Sequence, residues 1–438
     1  MRNPLLALAL CAAPMLAASG VTFTRDVAPI VYKRCVNCHH ADDIAPMPLV
    51  TYADARPWAK AMRQAVLTRQ MPPWHADPHM GNFANDRRLR ESEIDTIKAW
   101  VDQGAVEGDA KDLPAAPQFP DGWKIGKPDV VIAIPEEYVV QANGPDEYVN
   151  FTVPTNFTED RWVTALELRP GNRKIVHHAH VSVFEPPKPK APGEPEKKNN
   201  FTIHEGKLDH INPAMPVLDD GCSSADGGNW PGRHPSEDGT MLASYLPGKD
   251  PDIFPEGYAR LIPAGAQLTF QIHYNSRSIT KRETDRTSVG IVFAKAPPKQ
   301  RLRRIDISNY LFQIPAGDGN HEVTACYVLP KDVEFMSYTA HMHFRGKDMK
   351  FEAVHPDGAR ETLFFVPHYS FNWQTEYQLS RPVAVEKGTK IVITAHFDNS
   401  PNNAYNPDPS KAVRWGGPSY EEMMDGWFEY ILPPGKTI

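Results

Sequence analysis

Three things are scarce in this 438-residue chain: cysteine, long apolar runs and an excess of charge of either sign. There are five cysteines, and 47 lysines and arginines stand against 54 acidic residues, for a net charge of -7. No segment concentrates positive charge, so a nucleic acid is not an expected partner. After residue 20, no run approaches the roughly eighteen apolar residues that a membrane span requires. The composition, 41% apolar and 23% charged, excludes a disordered chain and predicts two or three folded domains.

The only strongly apolar stretch lies at the N-terminus. Arg2 precedes the apolar run Pro4–Ala13, and small residues follow at Ala17–Gly20. This order is typical of a secretory signal peptide, which is too short to span a membrane. We therefore expect residues 1–20 to be a signal peptide and the remaining chain to be periplasmic or secreted.

Proline, by contrast, is abundant, with 43 residues. After Trp123 the chain consists of short apolar runs separated by Gly, Pro, Asn and Asp, of which Val130–Ile134 and Lys390–Ala395 are examples. Such runs predict strands, and about 315 residues of them exceed one comfortable sandwich. We expect a linker at residues 108–122, followed by two all-β sandwich (jelly-roll-like) domains at residues 123–300 and 301–438.

The sharpest local motif is the segment from Cys35 to His39. Cys35 and Cys38 have two residues between them, and His39 follows at once. This is the pattern for covalent attachment of a c-type haem, in which both thiols bond the porphyrin edge and the histidine ligates iron. A redox dithiol is the alternative interpretation. The adjacent histidine and the export signal both favour one covalent haem c.

The chain around this motif has a helical pattern. Apolar residues recur at helical spacing just before the cysteine pair, within residues 58–66 and within residues 92–101, where Ser92 and Asp95 predict a capping box. Residues 21–107 thus predict a small all-α domain and resemble a class I cytochrome c. In that family a loop methionine, often followed by proline, completes the iron coordination, and Met71 before Pro72 matches. The rival methionines are Met47, Met62 and Met80.

Histidines in the β half fall into three clusters, the first of which contains His177, His178 and His180. Residues two apart share one face of a strand, which pairs His178 with His180. His177 could share a metal with His178 only where the backbone twists or bulges. The spacing alone leaves both options open.

The other two clusters are smaller. His273 stands alone in an alternating strand, where a single histidine is usually structural. His341 and His343 are two residues apart and so project from one face, an arrangement that suits a borderline or soft transition metal. Met423 and Met424 follow near the C-terminus, where methionines ordinarily pack in a core.

Taken together, these motifs resemble the copper type II, ascorbate-dependent monooxygenases, the family of peptidylglycine alpha-hydroxylating and dopamine beta-monooxygenases. The resemblance covers roughly residues 123–430 and rests on a His-His pair, a Gln-x-His-Tyr segment, a His-x-His pair and a distant methionine, in that order. It implies two coppers per chain. One would be held by His177, His178 and His273, and the other by His341, His343 and Met423, with the Ser-x-Glu-Glu-Met context favouring Met423 over Met424.

The resemblance also implies an activity. The thioether-bound site would activate dioxygen, because a thioether favours Cu(I), and the all-imidazole site would supply a second electron. His341, His343 and Met423 would thus be the catalytic set of a monooxygenase that hydroxylates a C–H bond of a small organic substrate, with ascorbate or a redox protein as possible external donor. The fused cytochrome predicts that electrons enter through haem. The competing hypothesis is a non-catalytic haem–copper electron carrier.

Two departures from the family pattern and one separate insertion are informative. Thr339 stands where peptide-amidating members carry an arginine that holds the substrate carboxylate, so a peptide ending in glycine is a doubtful substrate. Only Cys222 and Cys326 are available to form a disulfide in the β half, which leaves one bridge possible. A long polar insertion at residues 185–234 predicts a solvated loop, with a lid over the copper cleft as the less favoured alternative.

Overall fold

The computed structural model describes residues 20–41, 43, 45–119, 122–144, 147–184, 201–204, 207–211, 217–222, 241–246, 248–275, 279–433 and 435. The expected signal peptide, except residue 20, and most of the polar insertion lie outside the described residues. The chain divides into two compact units, residues 1–72 with 87–118, and residues 73–86 with 119–438. The described part is mostly β with a small helical region. None of its helices is long and apolar enough to cross a membrane.

The first unit is helical. Its elements are a π-helical turn (Phe23–Val27), α1 (Ala28–Arg34), α2 (Tyr52–Ala55), α3 (Ala59–Leu67), α4 (Glu91–Asp102) and two 3-10 turns (Arg56–Trp58 and Ala110–Asp112). The predicted capping box of Ser92 is wrong. Helix α4 begins at Glu91, one residue earlier. Arg90 is the last extended residue before the helix, and its backbone N–H donates to the carboxylate of Glu93 at 2.8 Å.

The unit boundaries differ from the expected limits of 21–107 and 108–122. Residues up to 118 belong to the helical unit. Within this unit, the backbone N–H of Thr24 donates to the carbonyl of Glu107 at 2.9 Å. Residues 73–86 instead belong to the second unit. The reason is aromatic packing: the rings of Trp74 and Phe83 lie 4.9 and 5.5 Å from the ring of Tyr377 and join the core of the C-terminal sandwich.

The N-terminal part of the second unit is a sandwich of two sheets. One sheet has the strand order β1-β14-β4-β11-β15, with β10 also on β4, and the other has the order β3-β12-β5-β9; β2 pairs with β13 and β6 with β7. The strands are β1 (Val130–Ala133), β2 (Tyr138–Val140), β3 (Glu147–Pro154), β4 (Arg161–Arg169), β5 (Val176–Phe184), β6 (Phe201–His204), β7 (Lys207–Ile211), β8 (Asp220–Gly221), β9 (Met241–Tyr245), β10 (Asp252–Ile253), β11 (Tyr258–Ile262), β12 (Gln267–Tyr274), β13 (Glu283–Asp285), β14 (Ser288–Phe293) and β15 (Gln300–Arg301).

The C-terminal part is a second sandwich. Its sheets have the orders β16-β25-β19-β22 and β21-β20-β23-β18-β8, and β17 pairs with β24. The strands are β16 (Arg303–Ser308), β17 (Gln313–Ile314), β18 (His321–Val328), β19 (Val333–His341), β20 (Gly346–Val354), β21 (Arg360–Val366), β22 (Glu376–Val385), β23 (Lys390–Phe397), β24 (Val413–Arg414) and β25 (Asp425–Ile431).

Alternation along the strands decides which side chains leave each core. On β12, Leu268, Phe270 and Ile272 are fully buried in the N-terminal core, so Gln271 and His273 project from the opposite face. The same rule applies to β19, where the side chains at 338 and 340 enter the C-terminal core and those at 339 and 341 do not. The candidate ligands are therefore presented by the outer faces of two well-packed sheets.

Candidate metal centre

The first histidine set is assembled by a β-bulge. His178 pairs with His273, but the next pair is Val176 with Tyr274, so His177 is the extra residue on β5. The bulge turns His177 to the same side as its neighbour. Ligand nitrogens of His177, His178 and His273 all lie within 4.8 Å of one another. His180 lies outside this group, with its ring 5.5 Å from that of His178.

Burial favours the neutral imidazole of His178. His178 is 5% exposed and His273 1%, and burial, reinforced by the neighbouring histidines, holds the pKa of His178 well below its usual range. Burial also lowers the pKa of His180 to about 3. Nδ1 of His273 and Nε2 of His178 are 3.1 Å apart. Closely spaced neutral nitrogens of this kind offer their lone pairs to a transition metal.

Tyr148 supports this set and was missed by sequence reasoning. It lies opposite His273 on β3, and its ring stacks on the imidazole at 4.2 Å with an angle of 10°. Its hydroxyl is 2.6 Å from the hydroxyl of Ser419. No sequence motif marks Tyr148, because only the register of β3 against β12 brings it to His273.

The second set contains a thioether. Sδ of Met423 lies 3.3 Å from Nε2 of His341, and the rings of His341 and His343 are 5.4 Å apart. Met424, the alternative from the sequence, is fully buried in the C-terminal core. The structure therefore brings Met423, and not its neighbour, to the histidine pair.

Neighbouring groups orient the two imidazoles. Oε1 of Gln374 is 2.9 Å from Nδ1 of His341, and the backbone carbonyl of Glu421 is 3.2 Å from Nδ1 of His343. Each contact engages one ring nitrogen and directs the other toward the site, as the hydrogen-bond partners of metal-bound histidines do. Burial lowers the pKa of His341 to about 4 and that of His343 well below its usual range. Gln374 carries no motif and lies 33 residues from His341, so the sequence did not reveal it.

Glu422 joins the two segments that form the second set. Its carboxylate accepts the backbone N–H groups of His343 at 2.8 Å and of Arg345 at 2.6 Å. The side chain is fully buried, and this burial raises its pKa to about 8. The contacts tie the His-x-His segment directly to the residue before Met423.

The helical unit presents the haem motif in a suitable form. Cys35 and Cys38 are not bridged to each other, and burial raises the pKa of the Cys35 thiol to about 12. Nδ1 of His39 is 3.1 Å from the carbonyl of Met47, which directs Nε2 away from the backbone. Burial lowers the pKa of His39. Two thiols that form no disulfide, beside an imidazole oriented in this way, fit covalent haem attachment.

The candidate axial methionines differ in their surroundings. Met62 is 8% exposed on α3 and packs within the helical unit. Met80 lies in the segment that belongs to the β unit. Met47 is partly buried and offers its carbonyl to His39. Met71 lies in the turn after α3, and its role as iron ligand stays a prediction.

The predicted disulfide is present. Cys222 and Cys326 are bridged, with their Cα atoms 5.1 Å apart. Strand β8 pairs in parallel with β18, with Gly221 opposite Ala325, and this register places the two cysteines side by side.

Comparison with known proteins bears on the C-terminal sandwich. No curated protein matches the chain. A solved structure titled "Structure of infectious bursal disease virus Gx strain" is 6% identical, covers 73% of this chain and 75% of that chain, and has a TM-score of 0.19, a similarity too low to bear on fold or function. Residues 319–430 match the family model described as "Copper type II ascorbate-dependent monooxygenase, C-terminal domain", and this matched segment contains His341, His343 and Met423.

Proposed function

We propose that this protein is an exported copper-dependent monooxygenase that hydroxylates a C–H bond of a small organic substrate with dioxygen, with electrons supplied through its own c-type haem. The observation that carries the proposal is the approach of the Met423 thioether to the His341 imidazole, 3.3 Å apart, inside the matched segment. A mixed nitrogen and sulfur donor set suits Cu(I). Copper, when bound, would supply one-electron chemistry and the activation of dioxygen.

The two donor sets would have different roles in this activity. His341, His343 and Met423 would hold the copper that meets dioxygen, while the bulged set of His177, His178 and His273 would hold a copper that stores an electron. Imidazoles alone serve both Cu(I) and Cu(II), and the low pKa values in both sets keep the lone pairs available at neutral pH.

A pocket beside the second set supports a polar substrate. Trp427 lines it and stacks on His341 at 5.0 Å, and the guanidinium of Arg304 lies over the indole ring of Trp427, 4.3 Å from its centroid. Thr339 also lines the pocket. Six of the nine lining residues are polar or charged: Ser244, Arg304, Ser337, Thr339, Glu376 and Glu429. A polar substrate can hydrogen-bond to these groups, whereas a hydrocarbon would displace their solvent and offer no hydrogen bond in return.

Haem would be held by Cys35, Cys38 and His39, with Met71 as the expected second axial ligand. The fusion of the two domains in one chain supports an electron supply to copper, because a haem tethered to the β unit would meet its copper sites at high effective concentration. A single-electron carrier of this kind could reload the coppers between turnovers.

The function is tested by metal content and product labelling. We expect the purified holoprotein to bind two coppers per chain and, with a reductant and labelled dioxygen, to place one labelled oxygen in a hydroxylated product for each dioxygen consumed. His177→Ala should lose one copper, and His180→Ala, a matched histidine on the same strand, should keep both. Copper that cycles between its oxidation states without any labelled product across a metabolite screen would favour the non-catalytic electron carrier.

The haem supply is tested separately. Anaerobic stopped-flow spectra of the reduced holoprotein should show decay of the reduced haem band when Cu(II) is added, with one haem oxidised for each copper reduced. Cys38→Ala should weaken covalent haem attachment and abolish this phase. A reduced haem band that persists after copper loading would show that the cytochrome passes its electrons elsewhere.

A further inference from the structure

One aromatic side chain contacts both proposed ligand sets. Phe371 lies in the loop between β21 and β22, and its ring centroid is 5.8 Å from that of His177 and 5.8 Å from that of His343. It stacks on His177 at 27° and meets His343 edge-on at 90°. Its ring is also 6.5 Å from that of His178. The N-terminal and C-terminal sandwiches thus share this ring at the point where their candidate ligands meet.

The loop that carries Phe371 is anchored on both sides. Before it, the hydroxyl of Tyr369 donates to the carbonyl of Met342 at 2.6 Å and accepts its N–H at 3.1 Å, so the loop is bonded to the residue between His341 and His343. After it, Nε2 of Gln374 donates to the carbonyl of Phe371 at 3.3 Å. The strand end that presents the second ligand set therefore also holds the ring in place.

A second aromatic connection runs parallel to the first. The ring of His178 is 5.5 Å from that of His180, which is 6.1 Å from that of Trp427, which in turn stacks on His341 at 5.0 Å and 12°. The two ligand sets face each other across a layer of packed rings.

We propose that Phe371 is a positioning residue that sets the spacing of the two copper sites and keeps water out of the gap between them. The proposal rests on the proposed function in one respect, that both sets hold copper. An aromatic ring fills space that water would otherwise occupy between buried imidazoles. Removal of the ring would leave a gap that collapses or hydrates, and either outcome changes the distance between the metals.

The test is the magnetic interaction between two Cu(II) ions in the full-length, oxidised protein without substrate. Wild-type protein should show dipolar broadening in its EPR spectrum. Phe371→Ala should change the dipolar interaction at unchanged copper content, because collapse of the gap shortens the distance between the metals and hydration lets that distance vary. Phe371→Tyr, which retains the ring, should restore the wild-type interaction. Phe157→Ala is the matched control, because Phe157 is also a partly buried aromatic residue, packed on Phe293 at 5.6 Å in the N-terminal sandwich.

The possible failures are distinguishable. Fewer than two coppers in wild-type protein would overturn the proposed function and not the role of Phe371 as such. Two coppers in every variant, with the same dipolar interaction in Phe371→Ala as in wild type, would overturn the spacing role. If Phe371→Ala does not fold, Phe371→Leu keeps apolar volume without the ring: a dipolar interaction that differs from that of wild type supports the proposal, and an unchanged one contradicts it.

Discussion

Sδ of Met423 lies 3.3 Å from Nε2 of His341, although 82 residues separate them in the chain. The register of two strands produces this approach. Strand β19 pairs antiparallel with β25, and His341 at the end of β19 lies opposite Asp425 at the start of β25. Met423 comes two residues before that pair, so the chain that enters β25 delivers the thioether to the imidazole.

This relationship predicts different outcomes for the two adjacent methionines. Met423→Leu removes a proposed copper ligand and should lower the Cu(I) affinity of one site by more than roughly tenfold. About tenfold is the smallest effect expected when only a hydrogen-bond partner of a ligand is lost. Met424→Leu should keep both coppers and lose at most about 1.5 kcal/mol of stability, since it exchanges similar volumes in a core. Competitive Cu(I) titration and urea unfolding measure the two effects. Equal copper affinity in the two variants would contradict the assignment of Met423.

Gln374 is predicted to orient His341. Gln374→Leu removes the amide oxygen that lies 2.9 Å from Nδ1 of His341 and should reduce copper affinity at that site about 10- to 100-fold. Gln378→Leu, on the exposed face of the adjacent strand β22, is the control and should bind copper as wild type does. X-ray absorption at the copper edge would report the altered coordination. Unchanged affinity and spectrum in Gln374→Leu would rule out this role.

The buried histidines predict a pH-dependent stability for the metal-free protein. Burial lowers the pKa of His341 from its ordinary 6.5 to about 4, so below pH 6.5 the unfolded chain binds a proton that the folded chain does not. Stability should be complete above pH 6.5 and should fall as the pH drops toward 4, by about 3 kcal/mol at most for this one histidine.

Urea unfolding of the metal-free protein at several pH values between 4.5 and 7.5 measures this dependence. His341→Gln should unfold with a shallower pH dependence than wild type, because one depressed titration is removed. The same slope in both proteins would show that His341 does not contribute.

The disulfide predicts a redox-dependent stability of the β unit. The bridge between Cys222 and Cys326 closes a segment with a sequence separation of 104, and its loss should cost about 2–5 kcal/mol. Thermal unfolding with and without dithiothreitol should show a large shift for wild type. The double variant Cys222→Ser with Cys326→Ser should unfold at the lower temperature in both conditions. The same wild-type melting temperature with and without dithiothreitol would contradict the prediction.

The strands and the local motifs were largely predictable from the sequence. Alternation and short apolar runs indicated a β-rich chain, because the pleat of a strand has a period of two wherever one face is buried. The association of a late methionine with the His-x-His pair was implied by the resemblance to the copper monooxygenases, which rests on residue types and their order. The cap of α4 was predicted at Ser92 and lies at Arg90, because a carboxylate one turn into the helix competed for the backbone N–H.

The unit boundaries show where local reasoning ends. Nothing in the composition of residues 73–86 distinguishes them from the helical unit that flanks them in the chain. They join the β unit because Trp74 and Phe83 are buried in the core of the C-terminal sandwich, which removes their apolar surface from water. Long-range burial of this kind leaves no local signature.

The sequence by itself determined which donors the protein possesses: thiols before a histidine, a histidine pair, a His-x-His pair and a late methionine. It could not decide between His177 and His180 or between Met423 and Met424, since spacing defines only which face of an ideal strand a residue occupies. The tertiary structure determines which member of each pair approaches the other candidate ligands. One extra residue in β5 brings His177 to His178 and His273, and the register of β19 with β25 brings Met423 to His341. The reason is physical: a metal site depends on distances of a few ångströms between side chains far apart in the chain, and only packing and strand pairing determine those distances.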